Sequence, residues 1–281
     1  MYRIWRMPPA LALIILLQAC VSGGSPGIDM RAASENPTAS SAREPSPASQ
    51  AGSQDHRPKT KKSLSRKDVS AFYGRTLNTL GVRRRVVALS FDGGGDAGGA
   101  PAILRTLVRA RAPATFFLTG RWVQLYPKLA RTIGAHYDIG NHTYDHPDLT
   151  KLPNPAVKRE IVKAQRLIQH ATGRSPRPLF RFPFGSSDRR VMHIVNSLGY
   201  VSIGWTTDTL GWLGTSGGQS VASVRSHALT GLRPGAIILM HLGANPQDHS
   251  ALDAQALPGI IAGLRQRGYR IVGIDRVLQQ G

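Results

Sequence analysis

Residues 86–95 read Val86-Val-Ala-Leu-Ser-Phe-Asp92-Gly-Gly-Gly95. A short apolar run bounded by a turn signal is typical of a buried β-strand. The three consecutive glycines allow a ligand to approach the backbone closely, so Asp92 is a candidate functional residue. The alternative is structural, with the aspartate capping a following helix.

Six further apolar runs follow along the chain, separated by helical patterns. The runs are Ala114–Thr119, Tyr137–Asn141, Leu179–Phe182, Tyr200–Trp205, Ala236–Met240 and Arg270–Ile274. Strands that alternate with helices predict an α/β fold with a parallel sheet, either open or closed into a barrel. A domain of about 190 residues is short for a complete eight-fold barrel.

Two helical patterns between the strands are especially clear. One begins with the capping and first-turn signal Asn154-Pro155 and ends before Gly173, and the other ends at Gly268. Their apolar faces are formed by Val157, Ile161, Ala164 and Ile168 in the first and by Leu257, Ile260, Ile261 and Leu264 in the second.

The N-terminal 20 residues have the organisation of a secretory signal. Arg3 and Arg6 precede an apolar run of about ten residues, which is too short to span a bilayer. Cys20 lies where a bacterial lipoprotein carries its lipidated cysteine, and an ordinary signal peptide with an incidental cysteine is the alternative. We expect a lipoprotein on the extracytoplasmic face of the bacterial membrane, or a secreted protein if Cys20 is not lipidated.

The region that follows, residues 21–82, is rich in Ser, Pro, Ala and Gly and has few large apolar residues. Such a segment cannot bury enough apolar surface to offset the entropy lost on ordering. We therefore expect a disordered tether over residues 21–82 and one folded domain over residues 83–281.

Composition restricts the function further. The chain has 281 residues and one cysteine, so it can form neither an intrachain disulfide nor a thiolate zinc cluster. Its net charge of +20 fits an anionic partner such as nucleic acid, a membrane surface or a wall polymer, although an arginine-rich genome would give the same excess. Export argues against nucleic acid. We expect membrane contact only through the lipid anchor and infer no protein partner.

Polar residues follow five of the predicted strands directly. In parallel α/β folds the C-terminal strand ends form the functional face. The residues are Asp92, His142 and His146, Arg181 with Phe184-Gly185, Asp208, and His241. His142-Thr-Tyr-Asp-His146 has a workable spacing for one metal ion. Structural alternatives remain for each, including a chance histidine pair, a buried ion pair of Arg181 and a core histidine at position 241.

Together these residues resemble the polysaccharide deacetylase family, the NodB homology domain of carbohydrate esterase family 4. The likeness covers roughly residues 84–278. It is carried by Ser90-Phe-Asp92-Gly, Asn141-His-Thr-Tyr-Asp-His146-Pro, Arg181-Phe-Pro-Phe-Gly185, Asp208-Thr-Leu-Gly-Trp212 and Ile238-Leu-Met-His241. The resemblance implies a distorted, incomplete (β/α) barrel of about seven parallel strands. It also implies a metal-dependent hydrolase of carbon–nitrogen bonds that removes acetyl groups from N-acetylated amino sugars of a cell-wall or chitin-like glycan.

The resemblance assigns a metal and a base. His142 and His146 would hold a divalent ion, with zinc first and cobalt, manganese or nickel as alternatives. Asp92 would be the general base that takes a proton from the attacking water, and Arg181 would orient it by pairing with it.

The same resemblance assigns the remaining roles around the substrate. His241 would protonate the leaving amine. A backbone N–H near Phe184 would help to hold the oxyanion, and Trp212 would form a wall of the pocket.

Two positions depart from the family pattern. Gly93 stands where the family usually has a second aspartate that binds the metal, and Asp96 could supply this carboxylate, with water or another ligand as the alternative. Gly211 stands where the family usually has an aspartate that tunes the histidine acid. We take Asp208 as its replacement, with Asp248 and Asp253 as the other choices. A weakly active or inactive module that binds cell-wall glycans is therefore the alternative function.

Overall fold

The computed structural model describes residues 69–278, which form one parallel sheet with helices packed against it. The strands are β1 (Thr76–Leu77), β2 (Val86–Gly93), β3 (Thr115–Leu118), β4 (Asp138–Asn141), β5 (Leu179–Phe180), β6 (Val201–Ile203), β7 (Thr207–Asp208), β8 (Ala236–His241) and β9 (Arg270–Ile271). Their order in the sheet is β1-β6-β5-β4-β3-β2-β8-β7, and β9 pairs with β2. Every one of these strand pairs is parallel, which confirms the predicted incomplete barrel.

Eight α-helices lie between and after the strands in the described residues. They are α1 (Ala100–Ala110), α2 (Gly120–Leu125), α3 (Pro127–His136), α4 (Asn154–Thr172), α5 (Arg189–Ser197), α6 (Val221–Leu229), α7 (Leu252–Gln266) and α8 (Ile274–Leu278). Short 3₁₀ segments cover Ser70–Phe72, Leu149–Lys151, Pro183–Gly185 and Gly211–Leu213. Within residues 69–278 no helix is long and apolar enough to cross a membrane.

The folded domain begins earlier than residue 83. β1 pairs in register with β6, through Thr76 opposite Ser202 and Leu77 opposite Ile203, so residues 69–82 do not belong to the expected tether. β7 was also not predicted. Both strands are two residues long, and two residues cannot show the period-two pattern by which a strand is identified. The expected signal peptide, Cys20 and residues 21–68 lie outside the described residues.

The helix predicted at Asn154-Pro155 is confirmed as α4. Its four predicted apolar positions are fully buried, and it ends at Gly173, which adopts φ 68° as helix-ending glycines do. Asn154 does not cap the helix, because it is already the first helical residue and Pro153 occupies the cap position; its Oδ1 accepts a hydrogen bond from Arg190.

Side chains alternate between the two faces of β2, and this alternation determines which of them face the polar centre around Arg181. Val87, Leu89 and Phe91 belong to the core between the sheet and the helices. Ser90 and Asp92 face the opposite side of the sheet, where both contact Arg181. Because successive strand residues point to opposite faces, even-numbered positions at this end of β2 face the polar centre.

Candidate active site

Asp92 and Arg181 form a buried ion pair at the C-terminal ends of β2 and β5. Arg181 Nη1 donates to Asp92 Oδ1 at 2.7 Å, and its Nη2 donates to Ser90 Oγ and to the carbonyl of Gly204. Its Nε donates to the carbonyl of Ile203, and the guanidinium is fully buried. Most of its donors are therefore satisfied, which is what a buried guanidinium requires.

The partners of Asp92 keep it ionised. Burial alone would raise the pKa of its carboxyl, but Arg181, together with His142 and His241, outweighs burial and holds this pKa below its usual value. Asp92 Oδ2, the oxygen that Arg181 Nη1 does not hold, lies 3.4 Å from His142 Nε2. A fixed carboxylate with one oxygen available is suited to accept a proton.

The tautomer of His142 follows from its neighbours. Its Nδ1 lies 2.9 Å from the carbonyl oxygen of Arg181, which can only accept, so Nδ1 carries the proton and Nε2 presents a lone pair. The ring is 2% exposed, and burial lowers the pKa of His142 below its usual value. His142 is therefore neutral and oriented, as a metal-ligating histidine must be.

His146 completes a converging pair of imidazoles. Its Nε2 lies 3.1 Å from the Nε2 of His142. Burial, and then the neighbouring His142, lower the pKa of His146 to about 4, so it too is neutral at pH 7. At this distance there are two arrangements. Either the Nε2–H of His146 donates a hydrogen bond to the Nε2 of His142, or the Nε2 lone pairs of both rings point at one cation. The two nitrogens therefore fit a divalent metal ion.

The loop that carries both histidines is held by two residues, Glu160 and Asn141, for which the sequence pattern predicts no role. Glu160 on α4 accepts the backbone N–H groups of Tyr144 and Asp145 with one carboxylate oxygen. Asn141 accepts the N–H of Thr143. His146 itself has a left-handed backbone, with φ 60°.

The described residues place no third metal-ligating side chain in a group with His142 and His146. Within residues 69–278 no three His, Cys, Asp or Glu side chains are grouped to hold a metal ion. The carboxylate of Asp96, expected as the third ligand, lines the same pocket but accepts the backbone N–H groups of Gly98 and Ala244. The glycine-rich loop turns this side chain towards the loop after β8, which the sequence pattern does not reveal.

A side chain at Gly93 would project among apolar side chains. It lies on the helix-facing side of β2, and a Cβ there would lie 2.9 Å from Leu118, 3.1 Å from Leu242 and 3.4 Å from Trp122. At Gly94, by contrast, a Cβ would lie 3.5 Å from the imidazole of His146. The strand alternation therefore directs residue 93 into the apolar core.

An open pocket of about 630 Å³ joins these groups. The rim carries two exposed aromatic side chains, Phe184 (70% exposed) and Trp212 (47% exposed). Phe184 packs edge-on against His146, and its backbone is left-handed, with φ 58°. A non-glycine residue in this region stores strain, which is frequent at ligand sites. Exposed aromatic faces beside a polar centre suit the apolar faces of sugar rings.

His241 also lines the pocket, and it is the register partner of Asp92 on the neighbouring strand β8. Its Nδ1 lies 3.7 Å from Asp253 Oδ2. Burial alone would lower the pKa of His241, but the carboxylates of Asp253, Asp92 and Asp208 outweigh it and raise the pKa. A raised pKa favours the protonated form of the imidazole, which is the form that can donate a proton.

Asp208, expected to be the partner of His241, is held elsewhere. Its Oδ1 accepts the N–H of Leu210, and its Oδ2 lies 3.4 Å from Trp212 Nε1. Among the ion pairs of the described residues, His241 pairs with Asp253 and not with Asp208. Asp248 also has other partners, since it accepts hydrogen bonds from Thr215, Ser216 and Ser250.

Comparison with known proteins gives consistent matches. The profile of the polysaccharide deacetylase family matches residues 80–203. The chain is 30% identical to the chitooligosaccharide deacetylase of Azorhizobium caulinodans, over 66% of this chain and 90% of that protein. It is 30% identical to the peptidoglycan-N-acetylglucosamine deacetylase of Bacillus cereus, over 69% of this chain and 68% of that protein. A CE4 family pseudoenzyme from Bacillus anthracis has a similar structure, with a TM-score of 0.63 and 30% identity over 69% of this chain and 66% of that one.

Proposed function

The chain belongs to the polysaccharide deacetylase family, hydrolases that act on the carbon–nitrogen bonds of acetylated glycans, and we propose that it removes acetyl groups from N-acetylated amino sugars of a cell-wall or chitin-like glycan. The observation that carries the proposal is one pocket lined by both a candidate base, Asp92, and a candidate acid, His241, at paired positions of neighbouring strands. Arg181 holds the pKa of Asp92 below its usual value, and the neighbouring carboxylates raise the pKa of His241. Binding a glycan without hydrolysing it requires neither a base nor an acid.

Asp92 performs the first proton transfer. Its Oδ1 is fixed by Arg181, and its Oδ2 accepts a proton from the attacking water. Water is a weak nucleophile, and a positioned base raises its reactivity in the transition state. The acetyl carbonyl gains negative charge as water adds, and we assign the backbone N–H near Phe184 to the stabilisation of that charge.

His142 and His146 would hold the divalent metal ion on which deacetylases of this family depend. Such an ion, when bound, supplies Lewis-acid stabilisation of the oxyanion and lowers the pKa of water. The choice of zinc over cobalt, manganese or nickel remains a proposal, which rests on the two imidazole ligands.

His142→Ala and His146→Ala should each abolish tight metal binding and turnover together, because each removes one of two converging nitrogens. Equilibrium dialysis with zinc, followed by elemental analysis, measures the first effect without any activity assay. The exposed His170 on α4 provides the control, and His170→Ala should bind zinc as the wild type does. Asp96→Ala should also leave zinc binding intact, because Asp96 is held by Ala244. Unchanged zinc binding in both histidine variants would contradict this assignment.

His241 performs the second proton transfer, to the leaving amine nitrogen. An amide nitrogen leaves only after protonation, whereas the phenolate of an aryl acetate leaves unaided. His241→Ala should therefore slow amide hydrolysis by about 10²–10⁴-fold and ester hydrolysis much less. Steady-state rates on N-acetylglucosamine oligomers and on an aryl acetate measure this ratio. Equal losses on both substrates would show that His241 is not the acid.

The activity is tested with the full chain, depleted of metal and then loaded with zinc. Acetate release is measured on peptidoglycan, on chitin oligosaccharides and on O-acetylated xylan. We expect release from the two N-acetylated glycans and less or none from xylan. Release from xylan alone would contradict the assignment of N-acetyl groups as the substrate. No release from any of the three glycans would contradict the proposed hydrolase activity.

The alternative is a glycan-binding module without hydrolysis. Two observations favour it: a side chain at Gly93 would project among apolar side chains, and the described residues contain no group of three metal-ligating side chains. The similar protein from Bacillus anthracis is a CE4 family pseudoenzyme, and a mutant form of it has restored enzymatic activity. Binding of the same glycans to the zinc-loaded protein, with no acetate release, would support this alternative.

We also propose that the protein is exported and anchored through a lipid on Cys20. Cys20→Ser should then move the protein from the membrane fraction to the soluble exported fraction, because a thioether-linked lipid can form only on the cysteine sulfur. Fractionation with immunodetection measures the change. If the variant stays in the membrane fraction, an uncleaved signal or the basic surface must account for retention.

A further inference from the structure

The side chain of Asp253 lies beneath His241, in the first turn of α7. It is 2% exposed, and its Oδ2 accepts the backbone N–H of His241 at 2.8 Å. Its Oδ1 accepts the hydroxyl proton of Thr209 at 2.6 Å. Asp253 lies in the first turn of α7, where the helix dipole interacts favourably with a negative charge.

The position of Asp253 depends on the absence of a side chain at Gly211. A Cβ on Gly211 would lie 2.5 Å from Asp253 Oδ1 and 2.6 Å from its Cγ, which is closer than real contacts allow. The carboxylate of Asp253 thus fills the space into which a side chain at position 211 would project. Two side chains, one at 211 and an aspartate at 253, cannot both occupy it.

The imidazole of His241 needs such a neighbour. Its Nδ1 is buried and has no hydrogen-bond partner within the described residues, and the Asp253 carboxylate lies 3.7 Å away. Two other carboxylates influence the ring, Asp92 from β2 and Asp208 from β7, and both line the pocket. Because Nδ1 faces Asp253, the ring's other nitrogen, Nε2, is left available for the leaving group.

We propose that Asp253 is the positioning residue of the acid: it orients the His241 ring through Nδ1 and the backbone N–H and stabilises its protonated form, in the space that Gly211 leaves open. This inference rests on the proposed deacetylase function for its role in turnover. The orientation and charge of His241 can be measured independently of that function.

The first experiment follows the titration of His241 by NMR in the metal-free protein, with its signals identified by their loss in His241→Ala. Asp253→Asn removes the nearest negative charge, so the pKa of His241 should fall by about one unit or more. Asp208→Asn is the matched comparison and should shift the pKa less, because Asp208 is held by Leu210. An unchanged pKa in Asp253→Asn, or a larger shift in Asp208→Asn, would overturn the proposal.

The second experiment measures turnover. Asp253→Asn should lower kcat on the amide by about 10–10²-fold with little change in KM, and it should lower the rate on an aryl acetate much less. In a His241→Ala background it should have almost no further effect, because a residue that acts through another loses its role with it. Equal losses on amide and ester, or full additivity with His241→Ala, would indicate a purely structural role.

The third experiment exchanges the two positions. Gly211→Asp alone should lose most amide turnover and some thermal stability, because its side chain collides with Asp253. Gly211→Asp combined with Asp253→Gly frees the space and should be more active on the amide than either single variant. A double variant no better than Gly211→Asp would overturn the compensation. If the wild type releases no acetate, the proposed function fails, whereas the titration still decides the place of Asp253.

Discussion

Asp92→Asn should reduce turnover by about 10²–10⁴-fold on both the amide and the aryl ester, because Asn cannot accept a proton from water whatever the leaving group. The shape of the side chain is retained, and its Oδ1 can still accept from Arg181. Zinc binding through His142 and His146 should persist, so the loss would be one of chemistry and not of metal.

The matched control is Asp188→Asn, the same chemical change at the cap of α5. The Asp188 side chain accepts the N–H of Val191, and Asn caps helices about equally well, so this variant should keep wild-type turnover. If Asp92→Asn hydrolyses either substrate at more than about a tenth of the wild-type rate, Asp92 is not the base.

Arg181→Met should destabilise the fold by about 3–5 kcal/mol, the usual cost of removing one partner of a buried ion pair. The variant leaves the Asp92 carboxylate buried without its counter-ion and removes the donors to Ser90, Ile203 and Gly204. Urea unfolding at pH 7 measures this loss. The pKa of Asp92 should rise in parallel, because burial then acts without Arg181.

Arg121→Met is the surface counterpart. Arg121 pairs with Asp145, but more than half of its side chain is exposed, so water replaces the lost contact at little cost. We expect a much smaller change in unfolding free energy than for Arg181→Met. Similar losses of unfolding free energy in both variants would mean that the buried ion pair stabilises the fold no more than the exposed one.

The residues at the strand ends could be predicted because parallel strands bring their C-terminal ends to one face. This rule brings Asp92, His142 and His241 to one pocket, and the structure shows all three in its lining, while Arg181 is buried behind Asp92. Their burial and their mutual distances were not predictable, because both depend on how far each side chain reaches across the barrel.

Three features could not be read from the sequence for physical reasons. The direction of Asp96 is set by a glycine-rich turn whose backbone angles leave no residue pattern. The choice of Asp253 over Asp208 depends on the rotation of α7 against β8, which is a tertiary property. Glu160 lies on the polar side of an amphipathic helix, where a solvent-facing glutamate and one that holds a loop look alike.

The side chain alternation of β2 also guides redesign. A protein engineer who wishes to add a carboxylate beside the two imidazoles would first choose Gly93→Asp, but that charge would enter the apolar core against Leu118 and Leu242. Gly94 is the better starting point, because a Cβ there meets the imidazole of His146 at an ordinary contact distance and the residue has no left-handed backbone. A carboxylate at position 94 would therefore start beside the imidazoles, whereas the same residue at position 93 would destabilise the core.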